Sequence, residues 1–195
     1  LNETEAKLKT LVNSIDGIVW ECDACTFEFS FVSEKAVSLL GYPLERWYKE
    51  KNFWFNKIHP DDKNWAPKFC LNATKKLQDH QFEYRMLNSK GEVVWLKDII
   101  TVIAKDNKPF KLRGVMFDIT YQKLQDEKLI YSEALLKSIS ENAPSYIIKI
   151  DDKGTILYIN RREPNLKVEV IGTTVFNYIG KKFIEIYKDN INHVF

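Results

Sequence analysis

Apolar and polar residues alternate along several stretches of this chain, and the alternation predicts strands. Val115, Phe117 and Ile119 alternate with Gly114, Met116 and Asp118, the period of two that a strand imposes. Phe82, Tyr84 and Met86 alternate in the same way with Gln81, Glu83 and Arg85. Residues 93–104 read as a long strand apolar on both faces, and Asp106-Asn107 turns it into the returning run 110–119. Residues 18–22 and 27–32 predict a hairpin about Asp23-Ala24-Cys25. At Asp118 the alternation stops, and its carboxylate suits the free N–H groups of a helix start. Beyond it, Tyr121, Leu124, Lys128, Tyr131, Leu135 and Ser138 fall three or four apart, a weak coiled-coil seam.

Other stretches carry helical spacing. Leu1, Leu8 and Ile15 repeat every seven residues, so 3–15 predicts an amphipathic helix. It either continues an upstream connector or packs on its own domain. Ser33 is expected to cap a helix whose apolar face is Ala36, Val37, Leu39 and Leu40, with Gly41 as its stop. Pro60 fits a first helical turn, with Asp61 and Asp62 at the positive end of the dipole. Trp65, Phe69, Ala73 and Leu77 recur every four residues, and Pro67 among them predicts a kink or a late start. Two strands, helices, then three strands give an α+β class: a five-stranded antiparallel sheet with helices on one face.

The pattern then repeats. Residues 138–160 resemble 10–33 at an offset of about 127: Leu157-Tyr158-Ile159-Asn160 parallels Ser30-Phe31-Val32-Ser33. Ile147 to Ile150 parallels Val19 to Cys22, and Val170-Ile171-Gly172 stands where the first copy has Leu39-Leu40-Gly41. This second copy lacks its last three strands, so it is expected to be marginally stable alone.

Composition narrows the chemistry. The 195 residues allow one large or two small domains, and 45% hydrophobic content suffices for a core. A net charge of +2 points to no nucleic-acid partner. No apolar run approaches the roughly 18 residues needed to cross a bilayer, and a start on Leu1 is that expected of a piece of a longer protein. Cys22 and Cys25 form a lone C-x-x-C without the second pair that structural zinc needs, and His59 with Asp61 and Asp62 lacks a further ligand cluster, so no metal is assigned. No phosphate loop, nucleophile elbow or Ser/His/Asp grouping appears, so no catalytic site is expected within these residues.

Four separated motifs carry a resemblance. Gly114-Val115-Met116-Phe117-Asp118-Ile119-Thr120, Ser33 with Leu39-Leu40-Gly41-Tyr42, the His59-Pro60-Asp61-Asp62 run and the strand order together resemble PAS sensory domains over about residues 10–121. The resemblance implies a connector helix (1–16), a PAS domain ending in its PAC motif (17–120), a helical linker (121–139) and an incomplete second PAS domain (140–195). It implies a candidate ligand pocket on the inner sheet face: Trp20, Cys22, Tyr84, Met86, Leu96, Asp98, Ile100, Gly114 and Met116. The alternative for these residues is a filled core. Asp98 must reach solvent, pair with a basic group or touch a polar ligand atom. Asp118 and Thr120 are the candidate relay. Trp95, Ile99 and Ile103 on the outer face need a cover, which implies the N-terminal helix or a homodimer. No cofactor is named. Flavin is disfavoured because Cys70 and Met116 depart from the flavin-binding pattern, and haem because neither His59 nor His80 is helical. The function implied is sensing or dimerisation relayed to a covalently linked output domain, foremost a histidine kinase of a two-component phosphorelay. The alternatives are a cyclic-di-GMP cyclase or phosphodiesterase, and a ligand-free dimerisation spacer. A cytoplasmic segment is implied, whether or not the parent protein is membrane-anchored.

Overall fold

The alternating runs pair into one antiparallel sheet because each has one apolar face to bury. In the computed structural model, which describes residues 3–143, 145–160 and 169–194, the chain falls into two units, Leu1–Asp126 and Glu127–Phe195. The heptad position Leu1 and the chain end Phe195 lie outside the described residues. Unit 1 runs α1 (Glu3–Asn13), β1 (Ile18–Asp23), β2 (Phe29–Val32), α2 (Lys35–Leu40), α3 (Leu44–Lys49), α4 (Phe53–Lys57) and α5 (Ala66–Lys75). The strands β3 (His80–Leu87), β4 (Val93–Lys105) and β5 (Lys108–Asp118) follow, and α6 (Thr120–Asn142) leaves the sheet. The strand order is β2-β1-β5-β4-β3, so the last strand in sequence fills the middle of the sheet. Among the described residues no helix is long and apolar enough to cross a membrane.

Gly114 fixes the packing at the sheet centre. It pairs with Trp20 on one side and Ile100 on the other. A Cβ there would stand 2.6 Å from Trp20 Cζ2 and 2.8 Å from the Ile99 carbonyl oxygen. The room this glycine leaves is taken by the Trp20 indole. Gly114→Ala is therefore expected to overpack the centre and cost about 2 kcal/mol. A urea midpoint equal to wild type would contradict this.

Three local expectations are corrected. Ser33 caps no helix: α2 starts at Lys35 without a side-chain cap, and the buried Ser33 hydroxyl accepts from Val19 N–H at 3.0 Å. The late start required by Pro67 is found, since α5 begins at Ala66 with proline in its first turn. Its buried face, however, is Ala66, Cys70 and Thr74, while Trp65, Phe69 and Leu77 are exposed. Asp61 and Asp62 precede no helix start directly; they lie in the turns between α4 and α5, and the Asp62 carboxylate turns away to Arg85.

Unit 2 contains the hairpin β6 (Ile148–Ile150) with β7 (Ile156–Ile159), two 3-10 turns and α7 (Ile184–Val194). The sequence repeat becomes a repeat of hydrogen bonds. In unit 1, Ser33 N–H donates to Val19 O and the Ser33 hydroxyl accepts from Val19 N–H. In unit 2, Asn160 N–H donates to Ile147 O and its side-chain oxygen accepts from Ile147 N–H. The hairpin turns match as well: Asp23 Oδ1 accepts from the N–H groups of Cys25 and Thr26, and Asp151 Oδ1 from those of Lys153 and Thr155.

Candidate functional site

Strand phase gathers the candidate pocket residues on one face. β1 contributes Trp20 and Cys22, β3 Tyr84 and Met86, β4 Leu96, Asp98 and Ile100, and β5 Met116, all buried, with Gly114 beneath the Trp20 indole. Five of them (Trp20, Cys22, Asp98, Ile100 and Met116) line an inner cavity of about 10 Å³, room for no more than about one water. Tyr84, Met86 and Leu96 are buried on the same face without lining that cavity. The remaining wall comes from residues the sequence reading did not assign to the site: Phe27, Phe29, Trp54, Cys70 and Leu112. Trp54 sits in Phe53-Trp54-Phe55 on a helix of five residues, too short for periodicity to say which rings turn inward. Phe53 and Trp54 are buried; Phe55 is exposed.

Asp98 is the buried acid on this face, only 1% exposed. Neither solvent nor a basic group meets it. Trp20 Nε1–H donates to Oδ1 at 3.1 Å and the Tyr84 hydroxyl to Oδ2 at 3.4 Å. Tyr84 in turn accepts from Trp54 Nε1–H at 2.8 Å, so the network runs from α4 to β1 across the core. All these donors are neutral. Burial therefore dominates and pushes the Asp98 carboxyl up to about 8, although both hydrogen bonds oppose it. Burial and the neighbouring Asp98 push the Tyr84 phenol up too. Burial raises both the Cys22 thiol and that of Cys70, the latter to about 12, so these thiols are protonated and poor nucleophiles. His80 Nε2 lies 3.3 Å from Cys70 Sγ. Among the described residues no group of three His, Cys, Asp or Glu could hold a metal ion.

Where β5 ends, the chain is tied to β4 before it becomes helix. Ile119 N–H donates to Trp95 O at 2.9 Å and Trp95 N–H to Thr120 Oγ1 at 2.9 Å. Asp118 Oδ1 accepts from Thr120 N–H at 2.8 Å. One turn on, Lys123 pairs with Glu83 of β3 at 2.7 Å and lies over the Trp95 ring at 5.2 Å. Arg85 covers the same ring at 5.3 Å. Trp95 thus finds its cover in two cations of its own unit. Elsewhere on the outer face, Leu8 and Val12 of α1 flank a groove of about 610 Å³ with Val19, Phe31, Ile99 and Val115. Ile99 remains 44% exposed there. Glu21 borders this groove and is held at about 2 by hydrogen bonds from Lys111 and Arg113.

With this geometry in view, comparisons with known proteins place the fold. Residues 29–116 match the family model described as PAS fold. The methyl sulfide methyltransferase-associated sensor of Methanosarcina acetivorans is 31% identical over 146 residues, 72% of this chain. The two-component sensor PprA of Pseudomonas aeruginosa is 24% identical over 161 residues, 80% of this chain. The chain spans only 14% and 17% of those two curated relatives. Among solved structures, the N-terminal domain of a diguanylate cyclase with PAS/PAC sensor from Marinobacter aquaeolei is 30% identical with a TM-score of 0.51. The match covers 55% of this chain and 98% of that one. On a family-model match over residues 29–116 and a relative 30% identical that is covered almost end to end, this chain belongs to the PAS family.

Proposed function

We propose that residues 17–120 form a regulatory PAS domain of a signal-transduction protein. It binds a small ligand on the inner face, pairs with a second copy through the outer groove, or does both. The 121–139 linker then passes its state to a covalently attached output domain, and 140–195 begins a second PAS domain. A histidine kinase of a two-component phosphorelay is the first reading of the output domain, supported by the relative named a two-component sensor. A cyclic-di-GMP cyclase or phosphodiesterase is the second, supported by the relative drawn from a diguanylate cyclase. The small inner cavity favours a third, a ligand-free dimerisation spacer.

The observation that carries the relay is the register between β4 and α6. Trp95 exchanges hydrogen bonds with Ile119 and Thr120, so a shift of β4 along its axis pulls on the first turn of the helix. Asp118→Ala removes the carboxylate that holds Thr120 N–H. It is expected to lower stability by about 1 kcal/mol and to uncouple the output domain of the full-length protein from its signal. Output activity measured with and without the stimulus decides it: regulation unchanged in the variant would overturn the relay.

A further inference from the structure

The inner cavity shares a wall with a larger cleft that opens to the outside. This cleft, about 250 Å³, lies between the β1–β2 turn, α4 and the start of α5, where Asn52, Phe55, Pro67 and Leu71 line it. Phe27 and Trp54 line both spaces, and their rings are stacked with centroids 6.1 Å apart at 14°. These two aromatic rings form the wall that the cleft shares with the cavity where Asp98 lies.

The two rings are held very differently. Trp54 is buried and its Nε1–H is bound to Tyr84, so it is part of the core network. Phe27 is half-buried and belongs to the hairpin turn, with φ at +58°, a left-handed backbone that a bulky residue seldom adopts. Strain of this kind persists where the surroundings impose it, and it gathers at clamps and switch segments. Asn52, on the opposite lip of the cleft, is also left-handed, at +56°. Of the two leaves of the wall, Phe27 is the less buried and the one with a left-handed backbone, while Trp54 is tied into the core network.

We propose that Phe27 is a gate, and that a flat, non-anionic aromatic compound bearing an N–H donor enters past it, stacks on Trp54 and donates to Asp98. This rests on the reading of the inner face as a ligand site. The ring requirement follows from Trp54, whose face is already an aromatic stacking surface. The donor requirement follows from Asp98: in its protonated form the carboxyl keeps about three acceptor sites and here receives two donors, one at a long 3.4 Å. Anions are rejected because no Lys, Arg or His lines either space while Asp98 does line one. The size of the cleft suits one or two fused rings and is below the usual range for drug-sized ligands.

The test uses the whole chain with ¹⁵N-labelled tryptophan, benzimidazole as the N–H bicycle and 2-naphthoate as an anion of similar size. Benzimidazole is expected to shift the indole N–H signals of Trp54 and Trp20 and to leave Trp65 unmoved. Phe27→Gly removes the plug and the backbone strain together and is expected to bind benzimidazole at least tenfold more tightly. Phe27→Asn, which tolerates the same backbone, is expected to gain as well and guards against a folding defect in the first variant. 2-Naphthoate is expected to move neither signal in any form. Equal benzimidazole affinity in wild type and both variants would overturn the gate while leaving the inner face a ligand site. Loss of the Trp20 and Trp54 shifts in all three proteins would overturn the ligand class, and 2-naphthoate binding as well as benzimidazole would overturn the charge selection. The relay reading is decided separately by the Asp118 variant.

Discussion

Arg85→Ala is expected to destabilise unit 1 by about 3 kcal/mol at pH 7, the low end of the range for removing one partner of a buried pair. Asp62 is 5% exposed and is gripped by Arg85 through Nε at 2.9 Å, Nη2 at 2.8 Å and the backbone N–H at 2.8 Å. Deleting the guanidinium strands a buried carboxylate with only that backbone N–H and Trp65 Nε1–H, 3.2 Å away. Those two surviving donors are the reason to expect the low end. The substitution also uncovers the Trp95 ring. Arg85→Lys is expected to recover only part of the loss, because an ammonium cannot reproduce the two-pronged contact. The acid side of the profile supplies a second check. Hydrogen bonds from Arg85 hold the Asp62 carboxyl at about 2, below its ordinary 3.8. A depressed carboxyl contributes stability above its unfolded value and loses it as pH falls through the folded one. The gap between wild type and Arg85→Ala should therefore be full above about pH 5 and narrow toward pH 2. Urea titrations at pH 7 and pH 3 measure both. A difference below about 1 kcal/mol at pH 7 would show that the pair behaves as an exposed one.

This pair also marks what the chain conceals when read as a sequence. The sheet was legible because period two survives wherever one face is buried: the inner phase of β3, β4 and β5 could be assigned from Tyr84, Leu96 and Met116. The same reasoning placed Asp98 inward. It could not supply Trp20, 78 residues away, as the donor that meets it. Asp62 read as a helix-start acid because its neighbours in sequence are turn residues, whereas its partner lies 23 residues on in β3. The α5 face was misassigned for a different reason. A helix pressed close to a sheet presents its small residues, Ala66, Cys70 and Thr74, and sends its large ones to the rim. There Trp65 and Phe69 meet Phe82 edge-on or tilted, with centroids 6.1 and 5.3 Å apart. Counting apolar bulk picks out the rim; contact distance picks out the core. Ser33 was misread because a serine before a helix looks like a cap, while the bond it makes lies 14 residues back across the hairpin.

Asp98→Asn is expected to stabilise the domain, by an amount that grows with pH. The carboxyl sits at about 8 in the fold and near 3.8 when the chain is unfolded. Between those values the native state keeps a proton that the unfolded state has released, so wild-type stability must fall as pH rises through the window. Carried across the whole window, the loss is on the order of 6 kcal/mol by pH 9. Asparagine has the shape of the protonated acid and no charge to lose. Its side-chain oxygen can accept from Trp20 Nε1–H, and its amide can donate to the Tyr84 oxygen. At pH 5 the variant should lie within about 2 kcal/mol of wild type, and the two should diverge up to about pH 8 and run level beyond it. Asp98→Leu separates charge from hydrogen bonding, since it strands Trp20 Nε1–H and the Tyr84 hydroxyl and is expected to lose about 2 kcal/mol at pH 5. Urea midpoints from pH 5 to 9 test all three forms, and parallel profiles for wild type and Asp98→Asn would mean that burial does not hold the proton on. The direction of the effect bears on function. An acid that weakens its own fold at neutral pH, in a core that asparagine could occupy without a charge, is a functional-site candidate, in keeping with the ligand site proposed for that face.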